Sequence, residues 1–170
     1  MYTRVLLGTL GLERIVWPKG CGISGGDMDI LARQNLWAAG LNYCHGTGHG
    51  IGSYSYCHEG PYGIGRGYKM EFTEGMVVSD EPGFYKDGEF GIRIENAIMV
   101  VQHPQHEKFW MWENLTVAPY ARQLIDKSLL SPDYIQFIDE FHVKCLAELS
   151  PLLQEDQRAM DYLRRACEPL

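Results

Sequence analysis

The 170-residue sequence lacks the features that mark several classes of protein. No apolar run approaches the roughly 20 residues that a membrane-spanning helix needs. No small-residue cleavage site follows the first apolar stretch, which argues against a signal peptide. Basic residues are few, since 15 Lys and Arg stand against 22 Asp and Glu, for a net charge of −7. This balance argues against a general nucleic-acid or anionic-membrane surface, because both need clustered positive charge.

Cysteine is also sparse, and its pattern is not that of a zinc finger. The five cysteines are widely spaced and form no Cys-x-x-Cys pair. Two interpretations stay open, namely free buried thiols in a reducing compartment or one disulfide in a secreted protein. A hydrophobic fraction of 45% is typical of a globular domain rather than a disordered chain.

The predicted order of elements is helix, helix, antiparallel strands and then helices, which indicates an α+β fold. The second helix is expected to be capped by Asp27 or Asp29, after a Pro-, Gly- and Ser-rich loop. No N-cap precedes the first helix, so we expect the chain to be part of a longer protein. The predicted helices cover residues 2–15, 30–39, 132–149 and 152–167, the strands 76–80, 90–102 and 110–120, and the loop 17–26.

The Asp-Gly pair at 87–88 predicts a hairpin between the first two strands. A strict two-residue loop pairs residues whose numbers sum to 175, which places Glu81 opposite Ile94 and on the face away from Glu95. We therefore expect a bulge or a wider loop around residues 82–85 that shifts the register by one.

Two histidines four residues apart, His45 and His49, are separated by Gly-Thr-Gly. The glycines disfavour a helix, so the zincin helix motif does not fit. On an extended segment both rings project from one face, and the glycines leave room above the backbone. The alternative is two surface histidines in a loop. His58 follows nine residues after His49 and precedes Glu59.

Carboxylates on the predicted strands strengthen the case for a metal site. Glu81 ends an apolar strand, and Pro82 keeps it extended. Arg93 and Glu95 share one face of the next strand, and both faces of that strand are largely apolar, so we expect burial on both sides. A buried carboxylate needs a partner, either Arg93 in a salt bridge or a metal ion. Beside the histidines and Glu81, the metal is favoured.

The runs HGTGHGIGSYSYCHEGP and SDEPGFYKDGEFGIRIENAIMVV closely resemble the X-prolyl aminopeptidases, also called aminopeptidase P, and QLIDKSLLSPDYIQFIDEF resembles their C-terminal helical region. The resemblance implies a partial pita-bread fold, an antiparallel curved sheet with flanking helices, as in methionine aminopeptidase, prolidase and creatinase. It assigns residues 1–122 to the C-terminal part of that domain and 123–170 to the helical region. The family includes cytosolic enzymes and a glycolipid-tethered form, so the compartment stays open.

The family removes the N-terminal residue from peptides with proline in second position, usually with two manganese ions, zinc and cobalt being alternatives. The resemblance implies that His49, Glu81 and Glu95 are metal ligands and that Glu81 is also the general base. It implies that His45 and His58 surround the substrate. Arg93 is implied to hold the hydrogen bonds beside the metals. The implied partners are an Xaa-Pro peptide and, in the longer protein, a second copy in a homodimer.

The family uses two further aspartate ligands, which the resemblance places upstream of Met1, and Asp27 and Asp29 do not replace them. We therefore expect the isolated chain to bind metal weakly and to have little peptidase activity. Two alternatives stay open. One is a non-catalytic pita-bread module that binds peptides or proteins, and the other is a sister peptidase such as prolidase or methionine aminopeptidase.

Overall fold

The computed structural model describes residues 1–54 and 56–170, so Ser55 of the first motif lies outside the described residues. None of the described helices combines the length and apolarity that crossing a membrane requires. The helices are α1 (Tyr2–Glu13), α2 (Gly25–Trp37), α3 (Pro132–Leu149) and α4 (Gln157–Ala166). The strands are β1 (Val16–Pro18), β2 (Gly48–His49), β3 (Gly63–Ile64), β4 (Val77–Asp80), β5 (Gly83–Lys86), β6 (Phe90–Arg93), β7 (Asn96–Gln102) and β8 (Phe109–Asn114).

The chain divides into two compact units, one of Met1 and Thr3–Thr116 and the other of Tyr2 and Val117–Leu170. The first unit contains all eight strands of the described residues together with α1 and α2. Its architecture is that of an antiparallel sheet with flanking helices, which confirms the predicted α+β, partial pita-bread fold. The division that we predicted between residues 122 and 123 stays a prediction.

The main sheet of the first unit has the strand order β1-β8-β7-β4, with every neighbouring pair antiparallel. Its hydrophobic core includes two buried indoles, Trp17 and Trp112, whose ring centroids lie 5.1 Å apart. Phe72 packs edge-on against Trp112 at 5.0 Å. Burial of such large aromatic side chains is a major source of stability, about 1.5–3 kcal/mol or more for each.

The predicted loop 17–26 was wrong at both ends. Residues Val16–Pro18 form β1 because Trp17 is buried against the sheet. Helix α2 begins at Gly25, earlier than expected, because Ser24 is its N-cap. The Asp27 carboxylate accepts hydrogen bonds from the Ser24 backbone N–H at 2.8 Å and from its hydroxyl at 2.7 Å. Asp27 therefore belongs to the first turn of the helix rather than to its cap.

The hairpin after β4 has the register that we expected, but for a different reason. Lys86 pairs with Phe90, so the loop has three residues and the paired numbers sum to 176. The Glu89 N–H donates to the Lys86 carbonyl, and Gly88, at the third position of this turn, has a φ of +73°, which favours glycine. The same sum holds between β4 and β7, where Asp80 pairs with Asn96. The extra residue lies in the loop itself and not around residues 82–85.

The expected long strand over residues 90–102 is divided into β6 and β7. The division falls at residues 94–95, where β6 ends its pairing with β5 and β7 begins its pairing with β4. The chain therefore passes from a two-stranded ribbon into the main sheet at this point. The third predicted strand is shorter than expected and ends at Asn114.

The second unit is helical, with α3 and α4 as its long elements, as predicted. Its Cys145 and Cys167 are buried, and burial raises the pKa of Cys145 to about 12. All five cysteines are free, so the interpretation with one disulfide was wrong for this structure. Cys21, Cys44 and Cys57 are exposed, so the expectation of buried thiols holds only for the other two.

His142 on α3 is a buried titratable group in the second unit. Its Nε2 atom accepts a hydrogen bond from the Tyr120 backbone N–H at 3.2 Å, which requires an unprotonated nitrogen. Burial lowers the pKa of His142 from its ordinary value, opposed by Asp139 and assisted by Arg122. The neutral ring therefore contributes stability above the unfolded-state pKa, and this contribution is lost as the pH falls through the folded-state pKa.

Replacing Gly88 by Val should destabilise the first unit by about 1–2 kcal/mol, because a β-branched residue is strained at positive φ. Gly88→Asn is the matched control, since asparagine tolerates this conformation and should cost clearly less. The free energy of unfolding, measured by urea titration, checks the difference. Equal stability of the two variants would contradict the assigned loop conformation.

His142→Gln keeps an acceptor at this position and removes the titration. We expect a loss of about 1 kcal/mol at neutral pH, because the acceptor is less well placed. The stability difference between the wild type and the variant should shrink as the pH falls from about 7.5 to about 5. Urea titrations followed by circular dichroism at both pH values measure it. The exposed His106→Gln variant is the control, and a pH-independent difference for His142→Gln would refute the assignment.

Candidate functional site

Two of the predicted ligands, His49 and Glu81, are brought together where residues 47–51 run antiparallel and directly beside residues 77–81. The Glu81 backbone N–H donates to the Thr47 carbonyl at 2.7 Å, and Gly50 forms a β-bridge with Val78. A Cβ atom on Gly48 would lie 1.8 Å from the Ser79 carbonyl oxygen, so this close approach of the two backbones requires glycine. As a result His49 Nε2 lies 3.5 Å from Glu81 Oε1.

Ser79 links the two neighbouring segments through its buried hydroxyl group. The hydroxyl donates to Glu81 Oε1 at 3.1 Å and accepts from the His49 backbone N–H at 3.0 Å. It therefore orients one carboxylate and fixes the backbone of one histidine. We did not identify Ser79 from the sequence, although its position two residues before Glu81 places both side chains on one face of an extended strand.

Glu81 and Glu95 lie on the same face because of the shifted hairpin register. The Ile94 backbone N–H donates to the Pro82 carbonyl at 3.3 Å, which continues the pairing between β5–β6 and β4–β7. One ligand atom from each of His49, Glu81 and Glu95 lies within 4.8 Å of the others. The convergence of these three side chains is the geometry that a shared cation needs.

The tautomer of His49 leaves one ring nitrogen available for a cation. Its Nδ1 atom lies 3.0 Å from the Gly50 carbonyl oxygen, and only a protonated Nδ1 can donate to that oxygen. Nε2 then carries the free lone pair and faces Glu81. A carbonyl that fixes the ring in this way is the usual support of a metal-binding histidine.

The expectation that Glu95 is buried on both sides was wrong, because Arg93 and Glu95 are exposed while Ile94 and Asn96 are buried. Water reaches the Glu95 carboxylate, so burial alone does not demand a partner for it. Arg93 also pairs with another acid than expected, since its Nη1 atom lies 3.5 Å from Glu81 Oε2. The case for a cation therefore depends on convergence and not on buried charge.

Tyr85 connects His45 to Arg93 through a chain of hydrogen bonds. Arg93 Nε donates to the Tyr85 hydroxyl oxygen at 3.0 Å. The same hydroxyl lies 3.0 Å from His45 Nε2, while His45 Nδ1 lies 2.7 Å from the Gly46 carbonyl. His45 therefore donates through Nδ1 and accepts the Tyr85 proton at Nε2. We did not identify Tyr85 from the sequence, because its neighbours come from distant segments.

His58 completes the group, with its ring 4.1 Å from that of His49 in an edge-on arrangement. A cavity of about 350 Å³ brings five of the six predicted site residues together, and Glu95 is the sixth. Its lining consists of His45, Gly46, Gly48, His49, His58, Tyr68, Glu81 and Arg93. A larger groove of about 560 Å³ runs along α3, but neither histidine nor cysteine lines it, so the chemistry is assigned to the smaller cavity.

Asp29 has a different role from the cap that we expected. It is buried in α2, where its carboxylate accepts bonds from Arg33 Nε at 2.8 and 2.9 Å and from the Thr47 hydroxyl. Arg33 also donates to the carbonyls of Tyr43 at 2.8 Å and His45 at 2.7 Å. This network fixes the segment that carries His45, and breaking such a buried pair costs about 3–5 kcal/mol.

Asp80, next to Glu81, is fully buried on the opposite face of β4. Neither of its carboxylate oxygens has a hydrogen-bond partner among the described residues. Burial first, and the negative charges of Glu13 and Glu81 second, raise the pKa of Asp80 well above its usual range. Burial therefore disfavours the charged form of Asp80, and because its side chain lies on the opposite face of β4 it is not a ligand candidate.

Comparison with known proteins identifies the family of this chain. Residues 1–102 match the family described as Metallopeptidase family M24, and residues 108–170 match the C-terminal region of peptidase M24. A protein of Phaeosphaeria nodorum, named "Probable Xaa-Pro aminopeptidase P", is 44% identical over 178 residues. That alignment covers 99% of this chain and 27% of the relative.

Two solved structures show how far the similarity extends. The X-prolyl aminopeptidase of Caenorhabditis elegans, described as a cytosolic enzyme with a di-nuclear active site, superposes with a TM-score of 0.90 at 37% identity, covering 99% of this chain and 28% of that one. The prolidase of Pyrococcus furiosus superposes with a TM-score of 0.57 at 27% identity, covering 68% and 31%. The chain thus spans between a quarter and a third of the length of these relatives.

Replacing Gly48 by Ala should destabilise the first unit by about 2–3 kcal/mol, because the added methyl group collides with backbone and not with a flexible side chain. Gly46→Ala is the matched control, since its Cβ would meet the nearest atom at 3.6 Å, an ordinary contact. Urea titration measures both variants. If Gly48→Ala were as stable as Gly46→Ala, the assigned close approach of the β2 and β4 backbones would be wrong.

Proposed function

The chain belongs to metallopeptidase family M24, and from this premise we propose that it forms part of the metal-dependent active site of an X-prolyl aminopeptidase. The observation that carries the proposal is that one ligand atom from each of His49, Glu81 and Glu95 lies within 4.8 Å of the others. Support for the proline specificity comes from the relatives, whose names include Xaa-Pro aminopeptidase P.

The donor set fits a hard divalent cation. Two carboxylates and one imidazole with a free Nε2 suit manganese, with zinc and cobalt as alternatives. We propose that His49, Glu81 and Glu95 hold this metal and that two metal ions share the site. The description of the Caenorhabditis elegans structure as di-nuclear supports the number but not the identity of the metal.

Two bound cations would supply an acidified water molecule and a polarised substrate carbonyl, which are the chemical needs of amide hydrolysis. Glu81 is placed to hold the proton of that water and to pass it to the departing proline nitrogen. Its orientation is fixed by Ser79 on one oxygen and by Arg93 beside the other. A carboxylate held in this way loses little freedom when the reaction begins.

His45, His58 and Arg93 complete the proposed machinery. Arg93 donates a hydrogen bond to the Tyr85 hydroxyl, and this hydroxyl donates to His45, which lines the cavity. His58 is exposed beside His49 and is free to donate a hydrogen bond to the substrate. We propose that the two histidines bind the substrate around the scissile bond and stabilise its developing charge, while Arg93 maintains the geometry.

The similarity favours an aminopeptidase over a prolidase. Relatives that are 44% and 45% identical over 99% of this chain carry the name Xaa-Pro aminopeptidase P, whereas the Pyrococcus furiosus prolidase is 27% identical over 68%. No specific feature of the site favours a non-catalytic module. The natural partner is therefore proposed to be a peptide with Xaa-Pro at its N-terminus, and the homodimer of the longer protein stays a prediction.

The isolated chain should bind Mn²⁺ weakly, and Glu95→Gln should weaken that binding by at least about tenfold, because a carboxylate ligand becomes a neutral amide. Isothermal titration calorimetry measures the affinity. Glu113→Gln is the matched control, because Glu113 lies on β8 in the main sheet and belongs to neither group of candidate ligands. Unchanged affinity in Glu95→Gln would refute the ligand set.

Hydrolysis is tested with an Xaa-Pro peptide and the same peptide with alanine in place of proline. We expect slow, Mn²⁺-dependent release of the N-terminal residue from the proline peptide, lost in Glu81→Gln. Equal release from both peptides would contradict the proline specificity. Release unaffected by Glu81→Gln would contradict the proposed role of its carboxylate.

A further inference from the structure

His49 also belongs to a second group of potential ligands. One ligand atom from each of His49, Cys57 and His58 lies within 4.8 Å of the others. Cys57 and His58 are both exposed, so solvent and ions reach them. Cys57 takes no part in the function proposed above, and its thiol is free.

The backbone holds Cys57 and His58 in this position. The Glu59 backbone N–H donates to the Gly50 carbonyl at 2.8 Å, and the Gly52 N–H donates to the Tyr56 carbonyl at 2.9 Å. A Cβ atom on Gly50 would lie 1.9 Å from the Glu59 carbonyl oxygen, so the two segments approach as closely as glycine permits. Residues on both sides of Cys57 and His58 are thus bonded to the segment that follows His49.

We propose that His49, Cys57 and His58 form a binding site for a soft divalent cation, with Zn²⁺ as the expected occupant. A thiolate and two imidazoles are a preferred zinc donor set, and water from the exposed side can supply the fourth ligand. Zn–N and Zn–S bonds of about 2.0–2.3 Å separate tetrahedral ligand atoms by roughly 3.3–3.8 Å. Small side-chain rotations of the exposed Cys57 and His58 reach this spacing. The Cys57 proton is released to solvent as the Zn–S bond forms.

This site and the M24 ligand set exclude each other. His49 donates through Nδ1 to the Gly50 carbonyl, so only its Nε2 lone pair is available for a cation. One lone pair binds one metal ion, and a zinc ion held by Cys57 and His58 therefore removes His49 from Glu81 and Glu95. Zinc at this position would act as an inhibitor. This last consequence rests on the proposed function, whereas the existence of the zinc site does not.

Cobalt(II) is the probe for the thiolate ligand, because a cobalt–thiolate bond gives a charge-transfer absorption band in the near ultraviolet and oxygen or nitrogen ligands do not. We expect the band in the wild type, its loss in Cys57→Ser and its retention in Cys44→Ser, a matched control with another exposed thiol. His58→Gln should weaken cobalt binding by at least about tenfold. Zn²⁺ should abolish the band by displacing Co²⁺, since zinc binds such sites more tightly.

Glu95→Gln separates this inference from the proposed function, because Glu95 belongs only to the M24 set. The cobalt–thiolate band should persist in this variant, although its Mn²⁺ binding is weakened by at least about tenfold. A band that survives in Cys57→Ser, that disappears in Cys44→Ser, or that is missing from the wild type would overturn the zinc site. If the wild type showed the cobalt–thiolate band but did not bind Mn²⁺, the proposed function alone would be overturned.

The competition is measured by titrating Mn²⁺ with and without one equivalent of Zn²⁺. We expect zinc to weaken the apparent Mn²⁺ affinity of the wild type by at least about tenfold, and to do so much less in Cys57→Ser. Equal competition in both proteins would show that zinc enters the M24 ligand set directly. That result would refute the shared use of His49.

Discussion

The backbone of residues 47–51 lies directly against that of residues 77–81, and the pairing of His49 with Glu81 depends on this approach. The hydrogen bond from the Glu81 N–H to the Thr47 carbonyl measures 2.7 Å, and the Ser79 carbonyl leaves no space for a side chain at Gly48. Two short segments, neither of which could position a ligand alone, are thereby fixed against each other. The ligands are then supported by backbone and by a buried hydroxyl rather than by mobile surface groups.

Charge is distributed unequally across the strand that enters the site. Asp80 and Glu81 are neighbours in the chain but point to opposite faces. Asp80 lies in the interior with a strongly raised pKa, and Glu81 faces the cavity beside Arg93 and His49. Of these two neighbouring acids, only Glu81 therefore lines the cavity. Strand β4 and the residue after it thus direct one acid into the interior and the next one into the candidate site.

Much of this arrangement was accessible from the sequence. The strands next to Glu81 and Glu95 followed from alternation and from the hairpin signal. The one-residue change of register followed from the requirement that both carboxylates share one face. The ligand set of His49 with the two carboxylates was implied by the family resemblance. Alternation describes a strand by itself, however, and it does not say what covers each face. For this reason the burial of Glu95 was wrong, and Trp17 was assigned to a loop. The bonds of Tyr85 to His45, of Asp29 to Thr47 and of Ser79 to His49 were missed because their partners lie far away in the chain and only folding brings them together.

The hairpin loop at residues 87–89 has a consequence for how this part of the chain can vary. Its closing pair is Lys86 with Phe90, and the two glutamates face the same side only while that pair is kept. A longer loop preserves the pair and costs little, about 0.6 kcal/mol for each doubling of length. A two-residue loop can close on the same pair, because hairpins commonly have loops of two or three residues. A residue inserted into or removed from β5 or β6 shifts the pairing by one instead and turns one carboxylate to the other side of the ribbon. Natural variation in length should therefore fall within the loop tip and not within these two strands wherever both acids are used.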